Sequence, residues 1–374
     1  MTLSLLVLQP TPFCNIDCDY CYLPARTDKS HMSMATLRAA IHWVIDAGLV
    51  GKELSIVWHA GEPMVLPPAW YREAFTVVGE ACPPGIGVRH SIQTNGTLVD
   101  DAWCALIREA GINVGLSLDG PAQLHDRHRR TRTGRGTHAA VMDGLGKLKA
   151  HGIPVHAICL LTRESLRCAD EILDFFIGCD IRNVGFNIEE IEAAHAISSL
   201  QAVGIEAEFA AFFDRILERL RAAPGQLRIR EVEDVLSALR HPRFGSLTSN
   251  CQNTPFEIVS VSWDGRISTF SPELLGTEHP RYGAFAFASV HTDCFEDAIY
   301  SPRYRLVAAE IAAGREACRH ECAYFPFCRG GAPANKLAEN GSFAGTETLY
   351  CRITQKVVNE RVLRALEHDL IRAS

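Results

Sequence analysis

The chain has 374 residues, 47% hydrophobic and 22% charged, with a formal net charge of -7. That length allows one large domain with a smaller one, or two to three ordinary ones, and the acidic balance argues against a general nucleic-acid or membrane-surface binder. Residues 3–8, Leu-Ser-Leu-Leu-Val-Leu, are too short for a signal core and follow no basic residue, and no apolar run reaches the length of a membrane span. The 14 cysteines are therefore expected as reduced thiols in a cytoplasmic protein, where grouped cysteines bind metal more often than they pair.

Short β-rich runs alternate with helical patterns up to about residue 193. Ser4–Gln9, Leu54–His59, Arg89–Thr94, Val114–Asp119, Val155–Leu161 and Val184–Glu189 read as strands. Between them, Met34–Ala47, Asp101–Ala110, His138–Ala150 and Leu166–Phe176 space their apolar residues near 3.6 and read as helices. Repeated β-then-α units predict parallel strands, right-handed crossovers and an α/β sheet or barrel. Helical patterns follow at Ala207–Ala222 and Glu231–Leu239. The texture then changes. Trp263-Asp-Gly-Arg266 between apolar runs is a hairpin signal, two short helical stretches come next, a cysteine-rich loop runs from Cys318 to Cys351, and Gln355–Ile371 closes the chain as a helix. A boundary is expected near residue 245.

Cys14-Asn-Ile-Asp-Cys18-Asp-Tyr-Cys21 follows the first strand directly. Three thiolates on one tight loop can hold three irons of a cubane and leave the fourth open to chelate the amino and carboxylate groups of a small ligand. Spacing alone leaves a zinc site open as well, with His31 as fourth donor. Strand two ends in His59-Ala-Gly-Glu-Pro63, strand three in Gln93-Thr-Asn-Gly96 and strand four in Ser117-Leu-Asp-Gly-Pro121. Small residues with a polar or acidic group at successive carboxyl ends are placed where parallel barrels bind ligands. Near the C-terminus, Cys318, Cys322, Cys328 and Cys351 could fully ligate a further cluster or a structural zinc. Cys82, Cys104, Cys159, Cys168, Cys179 and Cys294 are scattered and read as small buried hydrophobes, and Cys251 reads most simply the same way.

The Cys-x3-Cys-x-aromatic-Cys pattern, with Tyr20 before the third cysteine, resembles the radical S-adenosylmethionine (SAM) signature. The resemblance implies a partial (βα)6 barrel over residues 1–244, a [4Fe–4S] cluster on Cys14, Cys18 and Cys21, and reductive cleavage of SAM to methionine and a 5′-deoxyadenosyl radical. Gly61, Glu62 and Pro63 match the segment that receives the methionine amino group. Ser117 lies where a polar side chain often helps hold SAM, and Asn95 joins it from the end of strand three and Asp119 from its own strand end. Arg129 is the candidate for the SAM carboxylate, since its planar fork suits a bidentate grip. The other basic residues of Arg127–Arg135 read mainly as a solvated loop.

The C-terminal cysteines resemble a SPASM/twitch-like auxiliary cluster domain over residues 245–351, with residues 352–374 as a closing helix. That domain usually carries seven cysteines and two auxiliary clusters. Here Phe270 and Ala332 stand at two cysteine positions and leave Cys251 alone, so one auxiliary [4Fe–4S] cluster is expected, on Cys318, Cys322, Cys328 and Cys351. Over nearly the whole chain, stretches such as Trp58-His-Ala-Gly-Glu-Pro63, Gly185-Phe-Asn-Ile-Glu-Glu190, Asn253-Thr-Pro-Phe256 and Ser268-Thr-Phe-Ser-Pro-Glu273 resemble the glycine-rich-repeat peptide maturases (GrrM/OscB type). These are similar to cyclophane-forming enzymes, which join an aromatic ring carbon to a nearby side-chain Cβ in a ribosomally made precursor peptide. The resemblance implies such a peptide, glycine-rich with aromatic residues, as substrate. It also implies an electron donor such as flavodoxin or ferredoxin, and a carboxylate base. Glu273 is the first candidate base, and Glu189 and Glu190 compete from the end of strand six. The runner-up readings are an anaerobic sulfatase maturase, against which Phe270 and Ala332 count, and a thioether-forming peptide maturase.

Overall fold

The computed structural model describes residues 2–373. Seven parallel strands run in chain order through one sheet: β1 (Leu5–Leu8), β2 (Glu53–Trp58), β3 (Gly87–Thr94), β4 (Asn113–Ser117), β5 (Val155–Leu161), β6 (Asn183–Ile188) and the short β7 (Arg228–Ile229). The first six lie within a residue or two of their sequence-predicted positions. The connections carry α1 (Met34–Asp46), α2 (Pro68–Ala81), α3 (Asp101–Ala110), α4 (Ala122–His128), α5 (His138–Ala150), α6 (Ala169–Gly178) and α7 (Ile205–Ala222). α8 (Arg230–Arg240) follows β7. Local sequence sets these boundaries. Ser33 Oγ accepts the Thr36 amide at the start of α1, Asp100 accepts the Trp103 amide at the start of α3, and Gly111 ends α3 at φ +63°. Register aligns Leu8 of β1 with Trp58 of β2, and Ile92 of β3 with Val114 of β4, which sets the strand ends side by side. The core between sheet and helices is apolar and includes the fully buried Trp58, Tyr71, Phe176, Phe212 and Phe213.

The chain then returns to the sheet's other edge. β8 (Ile258–Val261) pairs parallel with β1, and β9 (Arg266–Thr269) turns back against it through Gly265 at φ +87°. After β10 (Glu278–His279) and β11 (Gly283–Ala284), which pair with each other, β12 (Ala288–Ser289) adds to β9 and completes ten strands in the order β12-β9-β8-β1-β2-β3-β4-β5-β6-β7. Residue 245 falls between α8 and β8, so a boundary there divides the chain but not the sheet. All four residues of β8 are buried, and an edge of β1 left bare would expose unpaired amides.

α9 (Phe295–Tyr300) and the 20-residue α10 (Pro302–Glu321) follow. The stretch expected as a loop contains α11 (Phe325–Cys328) and α12 (Pro333–Asn340). The closing helix begins as a π-helical segment, Cys351–Val357, and continues as α13 (Val358–Ala373), packed against α7 and α8. Among the described residues no helix is long and apolar enough to cross a membrane.

Candidate active site

β1 delivers the loop that carries Cys14, Cys18 and Cys21, and the basic run lies across it. Asp17 donates its amide to the Arg130 carbonyl at 2.7 Å, and Ile16 bridges Thr131. Arg132 Nη2 donates to the Cys14 carbonyl at 2.9 Å, and Arg26 Nη1 donates to the Cys18 carbonyl at 3.0 Å. Much of the run expected as a solvated loop is thus a strap over the cysteines. Gly61 (φ +59°) supports the loop from below. A Cβ there would lie 2.5 Å from the Phe13 carbonyl and 2.6 Å from that of Thr11, so only glycine fits.

Burial, with Glu62 close by, pushes the Cys14 thiol up to about 11. Burial pushes Cys18 up to about 12 against the opposing charge of Arg129. Such thiols stay protonated until a metal replaces the proton. Three sulfurs on one short, rigidly strapped loop fit a cubane that leaves one iron open. His31, the fourth donor a zinc site would need, is exposed.

The strand ends meet beside this loop. Glu62 is 1% exposed and accepts from Thr94 Oγ1 and the Asn95 amide, each at 2.7 Å, and from the Met64 amide at 2.9 Å. Burial raises its pKa against those three hydrogen bonds. Among the described residues it forms no ion pair, so it is a buried acid that fits a cationic ligand such as the SAM ammonium. Pro63 opens the 3-10 turn that Glu62 caps. Asn95 is committed locally, donating to Asn15 Oδ1 at 2.9 Å, and Ser117 Oγ accepts from Gln93 at 3.0 Å.

Arg129 differs from the sequence expectation. Its Nε and Nη2 donate to the two Asp119 oxygens at 2.8 and 3.0 Å, and both side chains are buried. The bidentate grip expected for the SAM carboxylate is taken by the chain's own carboxylate, which also accepts the Leu160 amide at 3.0 Å and the Tyr20 hydroxyl. Burial alone would raise the Asp119 pKa, but Arg129 outweighs it and holds the carboxyl below its usual range. Asp119 and Arg129 act here as a buried pair beneath Cys18.

A cavity of about 670 Å³ opens between β6, α8 and the C-terminal segment. Glu190, Glu192 and Glu273 line it together with Cys251, Cys328, Arg329, Ala332 and Asn335. Burial pushes Glu190 up to about 8, with Glu273 and Glu339 adding to it and the Asn335 amide opposing. Burial, then Glu273 and Glu190, raises Glu192 well above the carboxylate range, and burial raises Glu273. Ala194 donates its amide to the Tyr22 carbonyl at 3.2 Å, which sets the loop after β6 against the Cys14–Cys21 loop, and burial, with Glu273, Glu192 and Glu190 near, raises the Tyr22 hydroxyl. Glu189 does not line this cavity. Its carboxylate accepts the Ser199 amide at 2.7 Å and lies 3.4 Å from His195 Nε2, holding the loop after β6. Glu192, three residues further on, takes the inward position that the sequence reading missed. Its only sequence signal is a third acid after strand six.

The C-terminal cysteines come from three elements and line a second cavity of about 120 Å³. Cys318 lies in the last turn of α10, Cys322 caps that helix, Cys328 ends α11 and Cys351 opens the π-helical segment. Burial raises Cys328 and pushes Cys351 up to about 12, and each is raised further by neighbouring cysteines of the group. Four cysteines lining one cavity match the ligand number of a fully ligated cluster. Phe270, at a position where the resembled domain has cysteine, is 1% exposed at φ +73° and stacks on Tyr304 with centroids 6.3 Å apart. Ala332 caps α12.

The Radical SAM superfamily is matched over residues 8–176. An uncharacterized Synechocystis protein, sll1766, is 40% identical over 371 residues, covering 98% of this chain and 93% of its own. A serine-type anaerobic sulfatase-maturating enzyme of Klebsiella aerogenes is 36% identical over 177 residues, 47% of this chain; the chain spans somewhat less than half of that relative, 44%. Among solved structures, anSMEcpe with bound AdoMet superposes with a TM-score of 0.81 at 19% identity, covering 99% of this chain and 100% of that one. Streptococcus suis SuiB bound to the precursor peptide SuiA gives 0.65 at 17% identity, with 94% and 76% covered. Site and fold define a SAM-cleaving enzyme of the α/β class. The chain belongs to the radical SAM superfamily, with SAM and a [4Fe–4S] cluster as its cofactors.

Proposed function

We propose that this chain is a maturase of a ribosomally made precursor peptide that forms a C–C crosslink between an aromatic ring carbon and a nearby side-chain Cβ. The observation that carries the reading is the large cavity. Three carboxylates of raised proton affinity line it, the loop that carries Glu190 and Glu192 meets the end of the Cys14–Cys21 loop through the Ala194 amide and the Tyr22 carbonyl, and Cys328 of the second cysteine group reaches its wall. A crosslink needs a peptide held between those points, loss of one proton from the attacked ring, and loss of one electron.

When bound, SAM and the two clusters supply the one-electron chemistry of hydrogen abstraction and reoxidation. On this reading, Cys14, Cys18 and Cys21 hold the SAM-cleaving cluster, and Glu62 holds the SAM ammonium. Cys318, Cys322, Cys328 and Cys351 hold one auxiliary cluster. Glu273, Glu190 and Glu192 share the proton released as the ring regains aromaticity, since neighbouring buried carboxylates cannot all ionise. The cavity walls position the peptide and exclude water. Residues 1–244, 245–351 and 352–374 serve as barrel, cluster segment and closing helix.

The sulfatase-maturase alternative is favoured by the alignment over the N-terminal half. Phe270 and Ala332, filling positions of a second auxiliary cluster in the resembled domain, favour the crosslinking reading. The test is anaerobic incubation of reduced, reconstituted protein with SAM and candidate peptides. Release of 5′-deoxyadenosine together with a peptide lighter by two hydrogens, resistant to fragmentation between the linked residues, supports the proposal. A product that reacts with an aldehyde probe would instead establish formylglycine formation, and a link through sulfur a thioether.

A further inference from the structure

Lys336 sits in the first half of α12 and is 5% exposed. Its ammonium donates to the Gly314 carbonyl at 2.9 Å and to Cys318 Sγ at 3.3 Å. Gly314 and Cys318 are one turn apart on α10, so Lys336 bridges two successive rungs of one helix face. The carbonyl is fixed in place because α10 approaches the 343–344 segment closely. A Cβ on Gly314 would lie 2.1 Å from the Phe343 carbonyl oxygen.

Among the described residues, Lys336 forms no ion pair with a carboxylate. Of the other cations nearby, Lys356 lines the cavity and pairs with Glu347, and Arg329, beside Cys328, is only half-buried. A buried ammonium without a carboxylate is costly unless an anion faces it. The anion available is the cysteine group itself, whose Cys318 Sγ is already within hydrogen-bonding reach.

We propose that Lys336 is the counter-charge of the auxiliary cluster. It donates to the Cys318 thiolate and raises the reduction potential of a cluster held by Cys318, Cys322, Cys328 and Cys351. A cluster gains one unit of negative charge when it accepts one electron, so a fixed positive charge at a ligand sulfur favours the reduced form. Hydrogen bonds to the sulfurs and net charge are established determinants of cluster potentials. At the first cysteine group the buried Arg129 is neutralised by Asp119, Arg26 pairs with Asp17, and Arg132 is exposed, so among the described residues no buried unpaired cation faces those sulfurs. Lys336 is thus a tuning residue that makes the auxiliary cluster the easier of the two to reduce.

This inference rests on the reading of the four cysteines as cluster ligands, and the experiment separates the two. The full chain carrying Cys14→Ala, Cys18→Ala and Cys21→Ala is reconstituted anaerobically, so that one cluster contributes. Its iron content, about four per chain for a cubane, tests the ligand assignment; a chain without iron sinks that assignment. A redox titration followed by paramagnetic resonance then reads the potential. Lys336→Met is expected to lower the reduction equilibrium constant about tenfold, a negative shift of about 59 mV for a one-electron couple. Lys336→Gln is expected to fall between, and Lys336→Arg to restore most of the parent value. An iron-loaded Lys336→Met chain with the parent potential overturns the proposal. Should Met and Gln variants fail to retain iron, retention by Lys336→Arg supports the charge role, and loss in the Arg variant as well overturns it.

Discussion

The two cysteine groups carry opposite imbalances of charge. Beside Cys14, Cys18 and Cys21, the buried cation Arg129 is held by Asp119, and among the described residues the buried acid without an ion-pair partner is Glu62. Beside Cys318, Cys322, Cys328 and Cys351, Glu347 is paired with Lys356, and among the described residues the buried cation without a carboxylate is Lys336. A buried charge left without a partner is expensive, so each imbalance points to what completes it. The first region is shaped to receive a cation, as the ammonium of SAM is. The second is shaped to receive an anion, as a thiolate-ligated cluster is. The loops differ in the same sense. Three cysteines on one strapped turn can leave an iron open, whereas four from three elements can close around a cluster.

The largest effect should come from breaking the open site. Cys14→Ala, Cys18→Ala and Cys21→Ala together should abolish 5′-deoxyadenosine formation and lower iron from about eight to about four per chain. Quantified iron and nucleoside analysis check it, and retained SAM cleavage would end the assignment. Iron near twelve in the parent chain would instead point to a third cluster, against the ligand count.

Next in size is the pair beneath that site. Asp119→Ala strands the Arg129 guanidinium in a buried position and should cost about 3–5 kcal/mol of stability, read by chemical denaturation. A change below about 1 kcal/mol would mean that the pair is solvated after all.

Glu62→Gln sharpens the comparison more gently. The amide keeps one acceptor oxygen, loses the charge and turns an NH2 toward a donor whose hydrogen bond a Glu62 oxygen accepts, so folding is checked by circular dichroism beside binding. SAM affinity should weaken about tenfold or more, the scale of a charge-assisted hydrogen bond. Anaerobic equilibrium binding measures it, and an unchanged dissociation constant would remove Glu62 from the SAM site.

The smallest effect concerns pH. Burial raises Glu190 to about 8, above its unfolded range, so between about pH 4.5 and 8 the native chain holds a proton that the unfolded chain has lost. Stability contributed by this group is full below the unfolded pKa and falls as pH rises toward 8. Glu190→Gln should flatten that fall in a series of thermal melts across this window. Crosslink formation should rise with pH over the same range while SAM cleavage does not. A parallel rise in both would argue against proton acceptance by these carboxylates.

Much of this arrangement is legible in the sequence because it is local. The strands and crossovers follow from apolar period and caps, and three cysteines within residues 14–21 can act together however the rest folds. The glycine in Ala60-Gly61-Glu62 is likewise a local signature of close backbone approach. Other features were decided by long-range packing, which no window of sequence contains. Asp119 fills the fork of Arg129, because α4 brings the arginine back over the end of β4. Glu189 turns into its own loop, while Glu192 turns inward to join Glu273, a residue some eighty positions away that reaches the site only because β8 and β9 extend the barrel sheet. Lys336 carries no motif at all. Its sequence reads as an ordinary lysine in a short helix, and only the packing of α12 against α10 buries its ammonium at Cys318. Periodicity and spacing report which atoms are near in sequence; the pairing of a buried charge depends on which atoms are near in space.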